Sequence, residues 1–377
     1  MLTIEPITII LLFIFSNAIF LGILFFTIPS ENKKANIYLS LFLWSIALSI
    51  SNDIFGELSI EEEHIISSFL FEPFLFHLLF LVFYLYKTIN KRINKWYYLL
   101  FIPGVFHNIM LNFEYLSLSE SSMSIFEYSS YLLEIMIVIY AFRIFQKHSK
   151  AIEGFYSDLE KKSLLWLKFL FVLIVVFHSL IILSDVFELI EGDWASIEII
   201  ILSSLVVIAL FIPYWIGYNG FSQPEIFKER LFLTPNVDER TEQVDLKKNE
   251  EIVEQASTIS QKDCQKFDQI KEHIQNQELF INPKLNLRSL AEALELNDKE
   301  LSRLINECGK VNFYQFINEF RVEKFKELLQ SPKAQQLSIL GLATEAGFSS
   351  KSTFYTAFKT LQGKTPKQYQ DSLKIPN

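Results

Sequence analysis

Hydrophobic residues are distributed unevenly along the 377-residue chain. Residues 1–221 hold long apolar runs, whereas residues 222–377 have the composition of an ordinary soluble protein. A helix needs about 20 apolar residues to cross a bilayer. Seven segments have that length and apolarity, at 6–28, 37–56, 65–86, 96–113, 125–145, 163–187 and 194–218. The pattern therefore predicts an all-α protein, a seven-helix transmembrane bundle followed by a helical soluble part.

Basic residues between the apolar segments predict the orientation of the chain. Eleven of them fall in or beside the first, third and fifth loops, namely Lys33, Lys34, Lys87, Lys91, Arg92, Lys95, Arg143, Lys147, Lys150, Lys161 and Lys162. The N-terminal tail and the other three loops contain no Lys or Arg. Because positive residues are retained in cytoplasmic loops, the N-terminus is expected outside and residues 219–377 in the cytoplasm. An odd number of spans is needed for that arrangement.

Ionisable residues within the apolar segments are costly at the bilayer centre. Two interpretations stay open for each of them, a hydrogen bond between helices or a part in a ligand pocket. Six are the candidate ligand-binding or coupling residues: Glu72, His77, Glu134, His178, Asp185 and Glu198. His107 and Lys168 are two further polar residues in the spans.

Residues 222–262 are rich in Glu, Asp, Gln and Lys, and they predict a flexible or partly helical cytoplasmic linker. Cys264 and Cys308 follow it. Neither lies in a C-x-x-C pair or beside a His at metal-binding spacing, so both are expected to be reduced and structural. The sequence predicts no metal site and no cofactor.

The last hundred residues contain an internal repeat. Leu, Leu, Ala and Leu at positions i, i+3, i+4 and i+7 of residues 287–294 recur 52 positions later as Ile, Leu, Ala and Ala. That spacing is one face of an amphipathic helix. A tight break and a second helix follow in each copy, which predicts helix-turn-helix units at about 287–307 and 339–362. Gly347 is expected to adopt a positive φ in the second turn.

A further helix is predicted over residues 313–330, ended by Pro332. Its length would be about 27 Å. Successive major-groove faces of DNA lie about 34 Å apart, so such a helix could hold two recognition helices for adjacent grooves.

The C-terminal part, residues 263–377, resembles the DNA-binding domain of AraC/XylS-type transcription regulators. The resemblance rests on four motifs, Leu290-Ala291, Leu301-Ser302-Arg303-Leu304-Ile305, Asn318-Glu319-Phe320-Arg321, and Ala346-Gly347-Phe348-Ser349-Ser350-Lys351-Ser352 continued by Gly363-Lys364-Thr365-Pro366-x-x-Tyr369. It implies a bacterial regulator that binds double-stranded promoter DNA, with RNA polymerase as a further partner. The apolar segments place the protein in the inner membrane, and a homodimer is expected. Gln370 stands where the family usually has Arg, which puts some phosphate affinity in doubt. The membrane part looks like the seven-span versions of the family, not its usual cupin-like sensor.

The second helix of each copy supplies the candidate DNA contacts on the face opposite its apolar residues. The resemblance implies base readout by Lys299, Ser302, Arg303, Lys351, Ser352 and Thr356. Asn306 and Tyr355 share those faces, and Lys359 and Lys364 are expected at phosphates. Arg303 is the strongest candidate because a guanidinium can pair bidentately with guanine.

Charge is divided unequally between the two copies, although the whole chain carries −9. Residues 263–332 hold ten basic and twelve acidic side chains, whereas residues 333–377 hold six basic and two acidic. Non-specific DNA affinity is therefore expected mainly from the second copy, and dimerisation should strengthen it.

The predicted function is a regulator that couples an unidentified small-molecule or envelope signal to promoter binding. A transporter or channel with a cytoplasmic regulatory or docking module is the alternative. An enzyme is not expected, because no P-loop, nucleophile elbow or metal motif occurs.

Overall fold

A computed structural model of the chain describes residues 6–30, 32–57, 76–89, 91, 93–112, 120–159, 163–189, 194–221 and 261–373. Every named element in this part of the chain is a helix, which confirms the all-α prediction. The chain forms two compact units. The first comprises Met1–Phe145 and Leu164–Leu231, and the second comprises Gln146–Ser163 and Phe232–Asn377.

The first unit contains the apolar helices. They are α1 (Pro6–Thr27), α2 (Lys33–Glu57), α3 (Phe76–Thr88), α4 (Ile102–Asn112), α5 (Glu120–Glu153), α6 (Leu165–Leu189) and α7 (Ala195–Phe221). Helix α5 continues past Phe145 into the second unit. Among the described residues, five helices are long and apolar enough to cross a membrane, namely α1, α2, α5, α6 and α7. These five correspond to the first, second, fifth, sixth and seventh predicted segments.

The third predicted segment is only partly described, and the fourth is not a single helix. Residues 65–75 lie outside the described residues, and α3 covers only the rest of the third segment. The fourth segment is divided between a 3₁₀-helix, Lys95–Phe101, and the short helix α4. Pro103 stands in the first turn of α4, where its missing N–H removes no helical hydrogen bond, so a new helix begins there. A total of seven spans stays a prediction.

Apolar side chains cover the outside of the first unit. Phe13 is 62% exposed, Leu132 59% and Ile199 65%. Many large apolar side chains on α1, α5, α6 and α7 are exposed in this way, which is uncommon on soluble proteins and typical of surfaces that lie in lipid. Inside, a Cβ at Gly22 would lie 2.3 Å from Nε1 of Trp44, so α1 and α2 approach closely only because glycine is present.

The second unit contains seven further helices in its described residues. They are α8 (Gln261–Asn276), α9 (Leu287–Ala293), α10 (Asp298–Glu307), α11 (Phe313–Gln330), α12 (Ile339–Glu345), α13 (Lys351–Gln362) and α14 (Pro366–Leu373). The bounds of α9 to α13 coincide with the predicted repeat and with the predicted helix between its copies, whereas α8 and α14 lie outside those ranges. The predicted linker lies outside the described residues except for Gln261 and Lys262, which begin α8.

Side-chain caps explain where these helices begin. Asn286, Asn297, Asn312, Ser338 and Ser350 each precede a helix and accept a hydrogen bond from a backbone N–H of its first turn. The first N–H groups of a helix have no partner within it, so an Asn or Ser at this position fixes the start.

Helix α11 belongs to two separate hydrophobic cores. Its first half packs Phe313, Phe316 and Ile317 into the core of the first copy, with Leu290 and Leu301. Its second half supplies the other core, which includes Val322, Phe325, Leu329, Leu342, Phe354 and Phe358. One rigid helix therefore fixes the positions of α10 and α13 relative to each other.

The two copies make the turn between their helices with different residues. Gly347 has a φ of 95°, as predicted, and a Cβ there would lie 2.7 Å from the carbonyl oxygen of Phe280. In the first copy, Glu295 has a φ of 56°. The second turn also lies against neighbouring backbone. Glycine is therefore required at position 347 because a Cβ would clash there and because its φ is positive.

Replacing Gly347 by Ala should destabilise the region around α12 and α13. A residue with a side chain costs about 1–2 kcal/mol in the left-handed region, and the clash with Phe280 adds to this cost. Gly363→Ala is the matched control, because Gly363 has a φ of 68° and nothing within 4 Å of an added Cβ. Hydrogen exchange of the α13 amides in the full-length protein should show an opening free energy lowered by about 1–2 kcal/mol for Gly363→Ala and by about 2–5 kcal/mol for Gly347→Ala. Equal effects would contradict the steric explanation.

Candidate nucleic-acid interface

Helix α10 presents a polar face to solvent. Leu301, Leu304 and Ile305 are buried in the first core. The predicted contact residues on the opposite side are exposed or half-buried, namely Lys299, Ser302, Arg303 and Asn306. At about 100° per residue they occupy roughly 100° of the helix circumference, so they share one face.

Arg303 is paired within the chain. Its Nη2 lies 3.1 Å from Oδ1 of Asp263 on α8, and its Nη1 lies 3.2 Å from Oε2 of Glu307. The hydrogen bond with Asp263 raises the pKa of the guanidinium above its usual range. The sequence did not predict this ion pair. Arg303 would have to leave Asp263 before its guanidinium could contact a guanine.

Helix α13 presents the second polar face. Four predicted contact residues on it are exposed, namely Lys351, Ser352, Thr356 and Lys359. Tyr355 is only half-buried, and Nζ of Lys351 lies 5.7 Å from the centre of its ring. Lys364 is exposed just beyond the C-terminal end of the helix. These side chains carry three ammonium groups, on Lys351, Lys359 and Lys364, and no carboxylate, which suits a phosphate backbone.

The N-terminus of α13 is occupied by other groups. Ser350 caps the helix by accepting a hydrogen bond from the backbone N–H of Thr353 at 3.1 Å, so it is not one of the exposed polar residues. The carboxylate of Asp158 accepts hydrogen bonds from the hydroxyl of Thr353 at 2.7 Å and from the hydroxyl of Ser349. Asp158 belongs to the loop after α5 and was not among the predicted site residues.

A buried polar cluster lies between the two cores. Arg321 is fully buried, and its five N–H donors meet five acceptors: the carbonyl oxygens of Phe280, Asn282 and Ser157, the hydroxyl of Ser157 and the amide oxygen of Asn318. Burial lowers the pKa of Arg321 to about 10, and the carboxylate of Asp158 opposes that shift. The motif that contains Asn318 and Arg321 is one of the four on which the resemblance rests. No pattern in the sequence predicted that Ser157, in the loop after α5, binds both residues.

The two cysteines face each other across the first copy. Sγ of Cys264 lies 2.9 Å from Sγ of Cys308, and both are free thiols. Burial and this contact raise the pKa of Cys308 to about 11, so its thiol is protonated at neutral pH. The expectation of reduced cysteines agrees with this state, whereas their proximity could not be read from their spacing of 44 residues.

Two of the candidate coupling residues meet in the first unit. Nδ1 of His178 on α6 lies 3.3 Å from Oε2 of Glu134 on α5. Oε1 of Glu134 has no hydrogen-bond partner among the described residues. Glu198 is exposed, and His77 packs edge-on against Phe42 at 5.8 Å. Glu72 and the side chain of Asp185 lie outside the described residues.

Comparison with known proteins gives a family match in the second unit. Residues 290–372 match a helix-turn-helix domain of the AraC type. Two uncharacterized HTH-type transcriptional regulators of Staphylococcus aureus, from strains COL and N315, are each 32% identical over 106 residues, 28% of this chain. That match covers only 13% of the length of each relative. No solved structure matches the chain. The helix-turn-helix domain thus has support from its geometry and from the family match, which lies within the second unit.

Releasing Arg303 from its partner on α8 should strengthen DNA binding. Asp263→Asn removes the charge that holds the guanidinium, so affinity of the full-length protein for a random duplex should rise about two- to fivefold at low salt. Fluorescence anisotropy measures this change. Asp268→Asn, which removes one carboxylate from the same helix, is the control and should have a smaller effect. An unchanged affinity for Asp263→Asn would contradict the prediction that the ion pair between Arg303 and Asp263 opposes non-specific DNA binding.

Proposed function

We propose that this chain is a membrane-bound, sequence-specific DNA-binding transcription regulator that couples a signal at the membrane to promoter binding. The observation that carries the proposal is the pair of recognition helices, α10 and α13, held by α11 with their polar faces exposed. The five apolar helices in the same chain supply the membrane attachment.

Specificity and affinity have different sources in this proposal. Arg303 and Ser302 of α10, together with Ser352 and Thr356 of α13, read base edges, because these groups donate or accept hydrogen bonds in the major groove. Lys359 and Lys364 contact phosphates and determine the salt dependence. The first copy is net acidic, so one protomer binds weakly and a homodimer provides the second half of the contacts.

The membrane part senses the signal in this proposal. Its N-terminus lies outside the bacterial inner membrane, and its basic loops and the DNA-binding domain lie in the cytoplasm. Glu134 and His178 are the centre of the coupling site, because a carboxylate buried between spans requires a partner or a function. The ligand is a small molecule or an envelope signal, and RNA polymerase is the expected partner on the promoter.

Recovery of DNA with the membrane-embedded protein tests the proposal. Full-length tagged protein is cross-linked in cells, isolated with the membrane fraction, and its bound DNA is sequenced. The expected result is a small set of enriched promoters that share a two-part motif. A variant with Lys351→Ala and Lys359→Ala should lose the enrichment. Transport activity without any enriched DNA would favour the transporter or channel alternative.

Lys359 and Arg303 should have separable effects on DNA binding. Lys359→Ala should weaken binding to all duplexes and reduce the slope of log affinity against log salt by about 1. Arg303→Ala should cost about 1–3 kcal/mol on the enriched motif and relax its sequence preference at one position. Lys326→Ala on α11, which pairs with Glu323 at 2.8 Å, is the control and should leave both quantities unchanged. Identical effects of Lys359→Ala and Arg303→Ala on all sequences would contradict the assignment.

Glu134→Gln should change signal-dependent transcription. The substitution keeps the size of the side chain but removes the charge opposite His178, so the packing of α5 and α6 should respond. A reporter fused to an enriched promoter should change by about threefold or more, with equal amounts of protein in the membrane. Ser179→Ala is the control on α6, because the Ser179 hydroxyl donates only to the carbonyl oxygen of Val175 in its own helix at 2.7 Å, and it should behave as wild type. A wild-type reporter response of Glu134→Gln would remove Glu134 from the coupling site.

A further inference from the structure

The end of α5 and the segment that follows it are built into the DNA-binding unit. Residues 146–163 run from the last turns of α5 towards α6, yet they form one compact unit with the C-terminal helices. Within this segment Ile152, Tyr156 and Ser157 are buried. Residues 153–158, which we call the docking loop, contact the C-terminal helices of this unit.

The docking loop binds the first copy through its backbone. The carbonyl oxygen of Phe155 accepts a hydrogen bond from the N–H of Leu287, the first residue of α9, at 2.9 Å. Tyr156 and Asn286 form an antiparallel bridge. The hydroxyl of Ser157 donates to the carbonyl oxygen of Leu285 at 2.6 Å. Backbone pairing of this kind fixes the register of the loop against the first copy.

The loop next crosses the junction between the two copies. The carbonyl oxygen of Ser157 accepts from the side-chain amide of Asn318 at 3.2 Å and from Nη1 of Arg321 at 3.4 Å. Nη2 of Arg321 donates to the hydroxyl of Ser157 at 3.1 Å. Since these groups are buried, they would lose hydrogen bonds without the loop, and the docked arrangement is thus specific.

The loop ends with a carboxylate at the N-terminus of α13. Asp158 accepts hydrogen bonds from the hydroxyls of Ser349 and Thr353, on either side of the helix cap. A helix N-terminus attracts anions, and Ser and Thr hydroxyls here are the donors that commonly contact DNA phosphates. The carboxylate occupies this position and repels a phosphate that approaches the same end of the recognition helix.

We propose that the docking loop is an internal regulatory ligand of the DNA-binding unit, which lowers DNA affinity while Asp158 occupies the N-terminus of α13. Movement of Asp158 away from α13, with Ser157 still bound to Arg321, frees the hydroxyls of Ser349 and Thr353 for a DNA phosphate. The loop continues directly into α5 and, after residue 163, into α6, so a rearrangement of these helices acts on the recognition helix without passing through residues 222–260. This inference rests on the proposed function and names the regulation of the same site.

The test compares charge removal at two positions of the loop in the full-length protein. Asp158→Asn keeps the shape and an acceptor oxygen but removes the charge. Glu153→Gln removes a charge next to Asn312, where its carboxylate lies 3.4 Å from the amide nitrogen, away from α13. Binding to a random duplex and to an enriched promoter is measured by anisotropy over a range of salt concentrations. Hydrogen exchange of α13 confirms that each variant is folded.

Asp158→Asn is expected to bind both duplexes about threefold or more tightly than wild type, with a salt slope steeper by about 1. Glu153→Gln should change the affinity much less. In cells, Asp158→Asn should make the promoter response independent of the signal. Wild-type or weaker DNA binding by folded Asp158→Asn would overturn the inference and leave the proposed function intact. Absence of DNA binding by wild type and all variants would overturn both.

Discussion

The second unit depends on the burial of one guanidinium. Arg321 is enclosed between two hydrophobic cores, and a buried charge is tolerated only when its hydrogen bonds are complete. Its five acceptors come from three parts of the chain: Phe280 and Asn282 before α9, Asn318 one turn earlier on α11, and Ser157 in the docking loop. These parts must assemble together, because the loss of any one leaves a donor unsatisfied. The relative position of the two recognition helices follows from this cluster and from α11.

Local signals in the sequence were sufficient for the helices of the second unit. Apolar spacing located α9 and α12, and Asn or Ser residues before the first turns fixed where they begin. The positive φ of Gly347 followed from its place in a turn. The division of the fourth predicted span was harder, because hydropathy averages over a window and does not register a new helix that begins near Pro103.

Contacts between distant residues could not be predicted in this way. Arg303 and Asp263 are 40 positions apart, and Thr353 and Asp158 are 195 apart. Nothing in the spacing of polar residues encodes such pairs, since each residue alone resembles an ordinary solvated side chain. The exposed faces of α10 and α13 were therefore predictable, whereas the groups that compete with DNA for them were not. DNA affinity therefore depends on the difference in free energy between the contacts that these faces make with DNA and the contacts that they make within the chain.

The DNA-binding unit is discontinuous in the sequence, and this affects its biosynthesis. Translation completes α5, the docking loop and α6 long before Arg321 leaves the ribosome. During that interval the loop has neither its hydrogen-bond donors on α11 nor the hydroxyls at the start of α13. Closing contacts across more than 160 residues is slow, because the entropy of the intervening chain opposes it. The newly made C-terminal helices thus complete their fold on a segment that was synthesised well before them, between α5 and α6.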